Sequence, residues 1–172
     1  NLGLVLQELG KFQKALNYFK KVIEIDPNYT HAHFNYGNTF NSLSEYQKAL
    51  DCYQKVIEID PGYKQAFNNL GVVLLELGKY QEAINSFQKA IEIDPNYKDA
   101  LNNIGGIFRE LGQYEKAMSF YEKAIKVDPN FIHAHFNRGV LLYEIGKYEN
   151  AMEVLKLINF KNSNSYLLSC LF

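Results

Sequence analysis

A chain of 172 residues, 47 % of them hydrophobic, is long enough to bury a sizeable core. Its 18 lysines and arginines against 19 aspartates and glutamates leave a formal net charge of −1, without the strongly basic face that nucleic acid requires. No run approaches the roughly 18 apolar residues of a membrane span, and the two cysteines, Cys52 and Cys170, lack metal-ligand spacing, so neither a disulfide framework nor a bound metal is expected.

Four prolines frame the elements. Pro27, Pro61, Pro95 and Pro129 are each 34 residues apart, and the text around them recurs: Glu-Ile-Asp-Pro-Asn-Tyr stands at 24–29 and again at 92–97. Gly3, Gly37, Gly71, Gly105 and Gly139 keep the same interval, as do Ala15, Ala49, Ala83, Ala117 and Ala151. A fixed period of this length is the signature of a stacked array.

The first unit, residues 1–29, is partial and enters the period partway; because it starts at Asn1 rather than methionine, the chain reads as a fragment or a processed product. The second, 30–63, is complete, and the third, 64–97, shows the elements most plainly. Phe67, Leu70, Leu74 and Leu77 recur at threes and fours, the apolar stripe of a helix. Gly78 suits a left-handed helix end. Tyr80 opens a second stripe with Ala83, Ile84, Phe87, Ala90 and Ile91, and Asp94-Pro95-Asn96 stops it. The fourth unit, 98–131, repeats this order. The fifth, 132–165, is degenerate, with Arg138 for the usual leucine and Ser163 for the proline, and a short apolar tail, 166–172, follows. That tail is expected to fold back on the last hairpin or to mark an artificial chain end. Gly71 and Ala83 are expected where two helix backbones approach closely. One such hairpin cannot bury its apolar faces alone, so an all-α fold of about five stacked helix-turn-helix repeats is expected.

These residues resemble the tetratricopeptide repeat family. The third unit supplies Phe67, Leu70, Gly71, Leu74, Gly78, Tyr80, Ala83, Phe87, Ala90 and Pro95 at the family's places, and the fourth supplies Leu101, Ile104, Gly105, Phe108, Gly112, Tyr114, Ala117, Tyr121, Ala124 and Pro129. The resemblance implies an α-α superhelix, or solenoid, covering 1–165, whose concave groove, lined by the first helix of each pair, binds a protein or an extended peptide. It implies no catalysis, no cofactor and no nucleic acid or membrane partner, and a cytoplasmic or nuclear location.

Within that groove, Asn35, Asn69, Asn103 and Asn137 (with Asn1) recur with the period and should stack as a row of amides. A primary amide both donates and accepts, as does the backbone of an extended peptide. Such a row resembles that in the tetratricopeptide domain of O-linked N-acetylglucosamine transferase, so one alternative function is substrate recognition for a larger glycosyltransferase. Another is self-association of the array through its exposed repeat ends. By the family's geometry, specificity falls to His31, Phe34, Asn38 and Asn41 in the second unit and to Gln65, Asn68, Val72 and Leu75 in the third. Asp99, Asn102, Gly106 and Arg109 follow in the fourth, then His133, Phe136, Val140 and Tyr143. The lysine and arginine clamp of co-chaperones is missing, because Asn68, Gln65 and Asp99 hold its places.

Catalytic and metal chemistry is not expected. His31/His33 and His133/His135 stand two apart on a helix and point to different sides, so one of each pair should face the groove while the other packs. Glu24, Glu58 and Glu92 recur as solvated helix-end charges, and Cys52 has no base beside it in the pattern.

Overall fold

The computed structural model describes residues 2–154 and 156. Asn1, Ser163 and the tail 166–172 lie outside the described residues. The chain divides into two compact units, Asn1–Pro95 and Asn96–Phe172. The first contains α1 (Leu2–Glu8), α2 (Phe12–Ile25), α3 (Thr30–Ser42), α4 (Tyr46–Ile59), α5 (Lys64–Glu76) and α6 (Tyr80–Ile93). The second contains α7 (Lys98–Glu110), α8 (Tyr114–Val127) and α9 (Ile132–Glu144), followed by a helical stretch over 148–154. Every regular element among the described residues is helical, and consecutive helices pack as pairs, the all-α solenoid arrangement.

Each pair forms because its second helix is strongly two-faced. On α4, Ala49, Leu50, Tyr53 and Val56 are buried while Asp51, Gln54, Lys55 and Glu58 face water. The first helices are covered from two sides: α3 packs on both α2 and α4, and α5 on both α4 and α6. First helices also touch one another, α1 with α3 and α3 with α5 in the first unit, α7 with α9 in the second. In the second unit Ala117, Tyr121 and Leu141 form the core, with Phe108, Met118 and Ile145 packed around them.

Ala83 is fully buried, and the nearest neighbour across Gly71 is a side chain. A Cβ on Gly71 would lie 2.7 Å from a ring carbon of Phe87, so the glycine makes room for the second helix's aromatic ring. Gly37 receives Tyr53 and Gly105 receives Tyr121 in the same way, at 2.8 and 2.6 Å. At Gly3, Gly37, Gly71 and Gly105 the 34-residue beat of glycines is therefore a set of ring sockets.

The turns are equally regular. Gly78 takes φ +71°, its amide donates to Leu75 O and the Lys79 amide donates to Leu74 O, both at 2.9 Å. This pairing satisfies the last carbonyls of α5, which have no partner within the helix. At the other end of each repeat, proline forces the preceding aspartate into extended backbone, and Asp26, Asp60 and Asp128 each accept the amide two residues on through Oδ1. Lys64 then pairs with Asp94 at 2.5 Å and Lys98 with Asp128 at 2.6 Å, tying the start of a first helix to the end of its own second helix.

Candidate functional site

On the first unit, α3 and α5 bring the predicted amides together. Asn69 donates from Nδ2 to Asn38 Oδ1 at 2.9 Å, and the Tyr53 hydroxyl donates to the same oxygen at 2.8 Å. Asn68 donates to Asn69 Oδ1 at 3.2 Å and is itself buried, with 7 % of its surface exposed. Asn35 turns inward along its own helix, donating to His31 O at 2.8 Å. The backbone carbonyl of Asn35 accepts from Gln7 Nε2 of α1 and from the Thr39 hydroxyl, at 3.2 and 2.7 Å. These amides therefore knit neighbouring first helices, and a ligand would meet a row already ordered by internal bonds.

Beside the amides lies an aromatic patch. The Phe34 ring stands 5.1 Å from that of Tyr63 and 6.0 Å from that of Tyr53, centroid to centroid. His31 is exposed and sits 5.9 Å from both Tyr29 and Tyr63. Burial, with the Asp60 carboxylate adding to it, holds the Tyr63 hydroxyl above its ordinary pKa, so that hydroxyl stays neutral.

The second unit carries the same positions with different chemistry. Asn137 on α9 donates to Asn102 Oδ1 on α7 at 2.9 Å, and Asn102 is buried. Asn103 and Arg109 are half-buried on α7. Phe136 and Tyr143 are open to water, 51 % and 64 % exposed, which for large rings marks a surface available for contact. Tyr143 packs edge-on to Tyr148, with centroids 5.2 Å apart.

The histidine pairs divide cleanly. His33 donates from Nε2 to Pro27 O at 2.9 Å and His135 to Pro129 O at 3.0 Å, while His31 and His133 are exposed. Cys52 is half-buried, and desolvation followed by the Asp51 charge pushes its thiol up to about 12. Among the described residues no three His, Cys, Asp or Glu side chains converge to hold a metal, and no helix is long and apolar enough to cross a membrane.

Tyr29 and Tyr63 belong to this surface, the buried Tyr53 supports it from beneath, and none of the three was among the sites predicted from sequence. The signal for the first two was present, since the Asp-Pro-Asn-Tyr and Asp-Pro-Gly-Tyr turns place a ring immediately before each first helix. Tyr53 falls at a core position of the period, which hides that its hydroxyl reaches the amide row.

The sequence matches the tetratricopeptide repeat family over residues 29–96 and 65–130, with further matches over 1–29 and 108–169. No curated protein matches the chain. Among solved structures, the crystal structure of MamA is similar at a TM-score of 0.79 and 26 % identity, over 96 % of this chain and 97 % of that one. PilF of Pseudomonas aeruginosa is similar at 0.82 and 25 %, over 92 % and 72 %. YrrB, a tetratricopeptide protein with an unusual peptide-binding site, is similar at 0.67 and 25 %, over 92 % and 81 %. The likeness to the transferase's tetratricopeptide domain rests on the asparagine row alone, and these three structures do not carry it.

Proposed function

Because the chain belongs to the tetratricopeptide repeat family, we propose that it is a protein-interaction scaffold whose first-helix faces hold an extended segment of a partner polypeptide. The observation that carries this is the ordered amide row flanked by accessible rings: Asn38, Asn68 and Asn69 beside His31, Phe34 and Tyr63. Amides pre-set by internal bonds lose little freedom when they meet a peptide backbone, and rings supply contact area at low entropic cost. The peptide-binding site of the similar YrrB supports the same use of this fold. The neutral, amide-rich surface favours a partner recognised through its backbone and apolar side chains over one recognised by charge alone. A reducing, intracellular setting fits the half-buried thiol of Cys52.

The test is the double substitution Asn69→Ala with Asn103→Ala, assayed against a partner recovered with the intact protein. Affinity should fall at least tenfold, on the order of 1.4 kcal/mol. Unchanged affinity at unchanged helicity would remove the amides from the interface.

A further inference from the structure

Hydrogen bonds within the amide row of the first unit use up acceptors faster than donors. A side-chain amide carries two N–H groups and an oxygen with two lone pairs. Both lone pairs of Asn38 Oδ1 are taken, one by Asn69 Nδ2 at 2.9 Å and the other by the Tyr53 hydroxyl at 2.8 Å. Asn69 Oδ1 accepts in turn from Asn68 Nδ2 at 3.2 Å. Asn38 Nδ2, by contrast, makes no hydrogen bond among the described residues and is not closed to solvent. A lone asparagine would offer a partner donors and an acceptor alike; at Asn38 only the donors remain. The feature is local to α3, since the same place in the other repeats holds Leu4, Val72, Gly106 and Val140.

These donors share a face of α3 with two rings. His31, Phe34 and Asn38 follow one another at intervals of three and four residues, which sets them in line along one side of the helix. No acidic or basic side chain stands in that line. Tyr63 flanks it, with its ring 5.1 Å from Phe34 at 49° and 5.9 Å from His31 at 84°. Rings set at such angles do not cover one another's faces. His31 is exposed, and Phe34, Asn38 and Tyr63 are each half-buried, so all four present some surface to a partner.

An ordinary extended segment brings N–H groups as well as carbonyls, and an N–H that meets Asn38 Nδ2 finds a second donor where it needs an acceptor. Proline has no backbone N–H, and a polyproline II segment makes no internal hydrogen bonds, so its carbonyls are free to accept. Its stiff apolar rings suit aromatic faces, and its preformed shape lowers the ordering cost of binding. We propose that the α3 face made by His31, Phe34 and Asn38, with Tyr63 beside it, takes a proline-rich segment in the polyproline II conformation. Asn38 Nδ2 donates to a carbonyl of that segment, and the rings receive its prolines. This rests on the peptide-holding role of the first-helix faces and names the class of segment held.

The experiment uses two fluorescein-labelled dodecapeptide pools, random except for four central positions, fixed as proline in one pool and as alanine in the other. Binding of each pool is measured by anisotropy on the intact chain, on Asn38→Asp and on Phe34→Leu, with thermal unfolding in parallel. The intact chain should prefer the proline pool by about tenfold. Asn38→Asp keeps an oxygen for Tyr53 and Asn69 but turns the outward N–H groups into an acceptor, so the preference should fall to parity or reverse. Phe34→Leu keeps an apolar side chain without the ring, and the preference should shrink by about threefold or more. Equal binding of the two pools by the intact chain, or a preference for alanine, overturns the proline class and leaves the peptide-holding role standing. A preference unchanged in either variant overturns this face as its source. Should Asn38→Asp melt below the assay temperature, Phe34→Leu decides alone. Binding of neither pool overturns both the proline class and the peptide-holding role.

Discussion

Adjacent glycines at 105 and 106 have opposite structural meanings. Gly105 keeps the 34-residue beat and gives Tyr121 its socket, whereas Gly106 faces open space. Gly105→Ala is therefore expected to cost about 1–3 kcal/mol through overpacking, while Gly106→Ala should add up to about 1 kcal/mol from helix propensity. Urea midpoints moving in opposite directions would confirm the assignment; a shared direction would refute it. Ser44 presents a related contrast. It holds φ 58° where Gly10, Gly78, Gly112 and Gly146 hold positive φ in the other turns. Replacing it by glycine should stabilise the chain by about 1 kcal/mol, because a side chain in the left-handed region is strained. The sequence carried the first contrast, since only one of the two glycines lies on the period. It also carried the second, since Ser44 breaks a column of glycines. The destination of the Gly105 contact was not legible: repetition marks a small residue without saying whether a ring or a backbone comes close.

At the scale of helices, boundaries followed from sequence because they rest on local chemistry. Proline fixes the residue before it, aspartate accepts the amide two positions on, and glycine closes the helix end, all within six residues. The bonds between first helices were not legible, because their partners depend on how helices pack. Asn69 reaches Asn38 across 31 residues and Asn137 reaches Asn102 across 35, so neither link keeps the 34-residue interval that made the asparagine row visible. Asn38 consequently matters more than its neighbours in that row. Asn38→Ala leaves the Tyr53 hydroxyl buried without its acceptor and frees Asn69, at an expected cost of about 1–3 kcal/mol. Asn35→Ala removes only a bond to its own helix and should cost clearly less in the same denaturation assay.

For the molecule as a whole, buried hydroxyls and a thiol set the alkaline limit of stability. Tyr121 and Cys52 are each pushed up to about 12 by desolvation, from ordinary values of 10.0 and 9.0, and Tyr53 is raised as well for the same reason. A raised acid pKa in the folded state means the neutral form is favoured there. The stability this gives is complete below the unfolded values and is lost as pH climbs from about 9 toward 12, by up to about 1.4 kcal/mol per pH unit for each group. The melting temperature should accordingly hold level to pH 8.5 or so and then drop steeply; a flat profile to pH 11 would show these groups to be solvated. The packing order has a further consequence, for synthesis rather than for stability. Among the described residues, the helix pairs in contact are neighbours or next-but-one neighbours in the chain. A hairpin emerging from the ribosome thus finds its partners already outside, and each new repeat can dock as it is translated, without waiting for a distant segment.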